Sequence, residues 1–137
     1  MNQHPYIRAY MAGTLVPTLA LLVAMTVFTL ARYIYNIPVP IERVIVFPMA
    51  VVPNLWGIWN VLYVASLSRR HVSIGAFGAA LPFLLAPAGY AVAHSVGFAI
   101  PQFVLAAFPF FFPFGVIVYY LAWKYIVAGL NGIVAVA

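Results

Sequence analysis

The residues able to do chemistry are few, and their positions limit what that chemistry is. Glu42 is the one acidic side chain in 137 residues, which excludes paired-carboxylate catalysis within a chain. It precedes Arg43 at the edge of an apolar run, the place of a neutralised interfacial charge or of a first-turn anion favoured by a helix dipole. His4, His71 and His94 stand near segment ends, the first two on one side and His94 on the other. No metal site and no bis-histidine haem is therefore expected within one protomer. The absence of cysteine removes thiol nucleophiles, zinc–thiolate sites and iron–sulfur clusters. Ser66, Ser68, Ser73 and Ser95 belong to no nucleophile motif, and no phosphate-binding loop is present. The expectation is a protein that is not an enzyme and holds neither a cofactor nor a metal.

The polar groups left to explain lie inside apolar segments. "PNLWGIWN", residues 53–60, holds a proline, two amides, two tryptophans and a glycine in a hydrophobic run. On a helical wheel Ala50, Pro53, Asn54, Gly57, Asn60, Val61 and Val64 share a sector of about 120°, while Trp56, Trp59 and Tyr63 fall together on the other side. One face is small and amide-bearing and the other aromatic. Pro53 removes a backbone donor and crowds the carbonyl of Met49, so this reads as a bent helix. Asn54 and Asn60 serve either as interhelical glue or as part of a polar path, with Thr14 and Thr18 of the first segment as further lining. In the third segment Gly75, Gly78, Ala79, Pro82, Ala86, Gly89 and Ala93 fall within about 100° of arc, a smooth stripe that permits close backbone approach. It is expected to dock on the small face of segment two or on another subunit. "FPFFFPF", residues 108–114, reads as lipid contact around two proline bends.

Composition states what these segments sit in. Hydrophobic residues make up 67% of the chain and charged residues 5%, at a mean hydropathy of +1.12. A soluble domain carries about 25% charged residues, so this chain cannot cover itself for water and is expected to be an integral membrane protein. The net charge of +5 comes from six scattered basic residues, which act as topology signals and form no nucleic-acid surface. The first ten residues are only loosely like the start of a signal peptide. The apolar stretch behind them is too long for one and lacks a cleavage site, so it is read as a retained span.

The charges divide the chain into spans at approximately 10–31, 44–66, 72–93 and 103–126. Each is near the roughly 20 residues that a membrane-crossing helix needs. The region 95–137 also admits two elements, 96–112 and 114–136, giving five segments. That option buries Lys124 in mid-membrane at a cost of at least about 2.5 kcal/mol. With four spans Lys124 sits in an aromatic interfacial belt, "YYLAWKY", where it can snorkel. The fold class is thus all-α integral membrane: one domain, an antiparallel bundle of four transmembrane helices. The apolar tail "VAGLNGIVAVA" is expected along the interface or on a neighbouring subunit. Arg8, Arg69, Arg70 and Lys124 stand against Arg32 and Arg43, the latter pair offset by Glu42, which puts both termini in the cytoplasm of a plasma or inner membrane.

Three functions fit this reading. The first is a non-catalytic membrane subunit or assembly protein, with the bilayer and either its own copies or other membrane subunits as partners. The second is an oligomeric channel or facilitator with a path near Asn54 and Asn60. The third is a lipid-acting membrane enzyme.

Overall fold

The computed structural model describes residues 4–39, 41–67 and 71–136, and every regular element among them is helical. Four helices are long and apolar enough to cross a membrane: α1, Pro5–Tyr33; α2, Phe47–Ser66; α3, Ile74–Ser95; and α4, Gln102–Ile133. Arg69 and Arg70 lie outside the described residues, as does the side chain of Arg43.

Local chemistry sets where these helices start, break and widen. Pro5 opens α1, where its missing N–H costs nothing. Ser73 caps α3, its hydroxyl oxygen accepting from the Ala76 N–H at 3.4 Å. α3 is interrupted at Ala80, and Pro82 stands in the first turn of the helical stretch that follows. The indole N–H of Trp59 donates to the Phe77 carbonyl beside this break at 2.9 Å, fastening α2 to it. α2 enters through a wide π-helical turn, Ile45–Met49, which contains Pro48, and then a non-helical step at Ala50 and Val51. Its regular part, Val52–Leu62, has Pro53 in the first turn. "PNLWGIWN" is therefore the start of a regular helical stretch, with the break just before it.

α4 corrects the expectation for the tail. The helix passes through Pro109 and Pro113 and continues to Ile133, so "VAGLNGI" extends the fourth helix instead of lying apart from it. A π-helical turn, Ala122–Val127, sits within it. Such a turn holds more residues than a normal one, so residues four apart stay on one face. Trp123, Val127 and Asn131 accordingly form one buried stripe.

Packing is close wherever glycine removes a side chain. A Cβ on Gly13 of α1 would lie 2.6 Å from the Trp56 carbonyl and 2.9 Å from the Gly57 Cα, and one on Gly57 would strike Tyr10 and Thr14. The small face of α2 is thus covered by α1. The stripe of α3 meets α4: a Cβ on Gly78 would lie 2.0 Å from the Trp123 ring, and one on Gly75 would lie 2.9 Å from Tyr120. It does not dock on the small face of α2, because α1 already occupies that face. Farther along, Gly89 faces Phe47. The core gathers Trp56, Leu81, Leu85, Trp123 and Val127, with Phe77 and Tyr119 packed at its edge.

Gly78 and Gly115 separate packing from propensity. Gly78→Ala must displace a ring that is fully buried, at a cost of about 1–3 kcal/mol. A Cβ at Gly115 meets nothing within 4 Å, so Gly115→Ala should gain about 0.5–1 kcal/mol from helix propensity alone. Unfolding of both variants in one detergent checks the opposite signs.

Candidate functional site

Two amides define the most ordered polar site. Asn60 of α2 is fully buried and Asn131 of α4 is 1% exposed. The Asn60 amide nitrogen donates to the Asn131 Oδ1 at 2.7 Å, and the Asn131 amide nitrogen donates back to the Asn60 Oδ1 at 2.9 Å. The Asn60 nitrogen also donates to the Ala9 carbonyl of α1 at 2.7 Å. Both N–H groups of Asn60 are therefore used, and one group ties three helices. Ala9, buried beside Arg8, and Asn131, two turns beyond Lys124, place this knot at the end of the bundle that carries those two cations. Arg8 reaches the Val134 carbonyl at 3.5 Å there.

Asn54 differs in its surroundings. It is exposed; the Tyr10 hydroxyl of α1 donates to its Oδ1, and its amide nitrogen donates to the Ala50 carbonyl at 2.9 Å. That second bond serves the irregular backbone just before Pro53. Thr14 turns its hydroxyl onto the Met11 carbonyl at 3.0 Å and packs its methyl against Gly57, while Thr18 is exposed. The four residues expected to line a path are thus divided: Asn60 is sealed in the bundle, Thr14 is turned onto its own helix, and Asn54 and Thr18 face outward.

The aromatic face of α2 is covered by α3 and α4. Trp56 lies with its ring centroid 5.0 Å from Tyr119 and 5.4 Å from Trp123. Trp59 stacks on Phe77 at 4.6 Å and 16°, and the Tyr63 hydroxyl donates to the Val72 carbonyl at 2.9 Å. The indole N–H of Trp123 is buried with no acceptor among the described residues. Of the stripe on α3, Gly75, Gly78 and Pro82 are buried, while Ala79, Ala86, Gly89 and Ala93 are half-buried. Ala86 borders an apolar groove of about 500 Å³ between α3 and α4, lined also by Phe83, Pro87, Tyr90, Leu105, Phe108 and Phe112.

The charged groups stand at the margins. Glu42 accepts from Arg32 at 2.6 Å, closing the connection from α1 to α2. This hydrogen bond, reinforced by the Arg32 charge, holds the Glu42 carboxyl below its ordinary value. Lys124 lies 5.6 Å from the Tyr120 ring centroid and 5.2 Å from that of Tyr125. Its Cβ stands beside Gly75, the second residue of α3, which sets it level with the end of that helix.

Sequence reasoning missed Asn131, Tyr10, Gly13 and the pairing of Arg32 with Glu42. Asn131 carried a usable signal, being the one amide in an apolar tail when Asn60 needed a partner. Chemically, the arrangement fastens helices. Among the described residues no group of three histidine or acidic side chains comes together. No protein-family model, curated protein or solved structure matches the chain.

Two measurements probe these contacts. Asn131→Leu strands the buried Asn60 amide, which costs about 1–3 kcal/mol. Asn60→Leu combined with Asn131→Leu should cost less than the sum of the single changes by about 0.5 kcal/mol or more, read as the coupling in a double-mutant cycle. For Glu42 the lowered folded-state pKa means that its pairing contributes at neutral pH. The contribution fades as acidification passes through that lowered value. Carboxyl titration by NMR should show the Glu42 midpoint rising when Arg32→Leu removes both the donor and its charge.

Proposed function

We propose that this chain is a small integral membrane protein, an antiparallel bundle of four transmembrane spans. In this reading it works as a non-catalytic membrane subunit or assembly protein, through helix packing. The observation that carries the proposal is the use of its buried amides. Asn60 donates to Asn131 and to the Ala9 carbonyl, and Asn131 donates back to Asn60. Among the described residues, the buried polar side-chain atoms left without a partner are the indole N–H groups of Trp56 and Trp123, neither of which titrates. The groove of about 500 Å³ between α3 and α4 is walled mainly by apolar side chains, with Tyr90 among them. The two longest helices have 29 and 32 residues, about 44 and 48 Å, which reach through a hydrocarbon core of about 30 Å into both interfaces. Lys124 among tyrosines suits one interface and the Arg32–Glu42 pair the other. The excess of basic residues on the Arg8, Arg69, Arg70 and Lys124 side favours cytoplasmic termini in a plasma or inner membrane.

A channel or facilitator is the second reading, favoured by the outward placement of Asn54 and Thr18. Copies arranged around an axis could line a path with those groups. Flux measurement separates the two readings. Proteoliposomes holding the purified chain should pass water, ions and small polar solutes no faster than empty liposomes. Flux above that baseline that Asn54→Leu abolishes would overturn the subunit reading in favour of the channel.

A further inference from the structure

We draw no further inference here: the strongest candidate, the apolar cavity of about 270 Å³ among α1, α2 and α4 that Trp56 and Tyr119 wall together with Val16, Pro17 and Ala20, carries none, because the unpartnered Trp56 N–H is buried out of reach of that space and nothing in the structure shows what fills it.

Discussion

Burial of the Asn60 amide is the constraint around which the bundle is arranged. A fully buried primary amide must find partners for two N–H groups and a carbonyl, or pay the desolvation of each. Here the partners come from two other helices, the Ala9 carbonyl of α1 and the Asn131 amide of α4. Neither would be in reach without a separate steric device. The missing side chains of Gly13 and Gly57 let α1 settle onto α2 closely enough for Ala9 to accept. The π-helical turn at Ala122–Val127 keeps Asn131 on the face already buried by Trp123 and Val127. The irregular geometry of α4 thus has a local purpose, to present an amide at the right rotation.

The same logic explains why glycine and tryptophan occur opposite each other. On the membrane reading proposed above, burying apolar surface between helices brings no gain over contact with lipid, so association relies on shape, dispersion and hydrogen bonds. Gly78 provides a recess and Trp123 fills it, and Trp56 and Tyr119 close over the rest. Trp59 joins packing to hydrogen bonding. Its ring lies flat on Phe77, and its N–H serves the carbonyl of that residue, where α3 breaks ahead of Pro82. Trp56 and Trp123 are thereby core residues of the protomer, with Trp59 packed at the edge of that core.

How much of this could be read from the chain depends on the kind of question asked. Four long apolar helices were legible, because hydropathy and charge spacing act over twenty residues and need no partner. The division of α2 into an amide face and an aromatic face was also legible, because both follow from one helical period. Partner choice was not. A wheel shows that Gly78 belongs to a smooth stripe, but only the packed structure shows that Trp123 of α4 fills it. The tail was misjudged because hydropathy averages over Asn131, the residue that gives its last turns a reason to stay in the bundle. The Arg32–Glu42 pair was hidden by an adjacent residue of the right charge, Arg43, which made a distant partner unnecessary to suppose.

The distribution of polar groups also orders the assembly. On the membrane reading proposed above, helices form first and associate afterwards. The glycine contacts between α1 and α2 need only those two helices, so that pair can close early, and it brings Ala9 to Asn60. Asn60 still has an unmatched N–H and carbonyl at that point, and α4 satisfies both with Asn131. α3 contributes no polar group to the knot. It is held by the recess at Gly78 and by the Trp59 bond at its break, and it becomes secure once Trp123 is in place. Fixing α4 therefore completes two interfaces at once, the amide pair with α2 and the tryptophan recess with α3. A change confined to α4 is for that reason expected to loosen helices it does not adjoin in sequence.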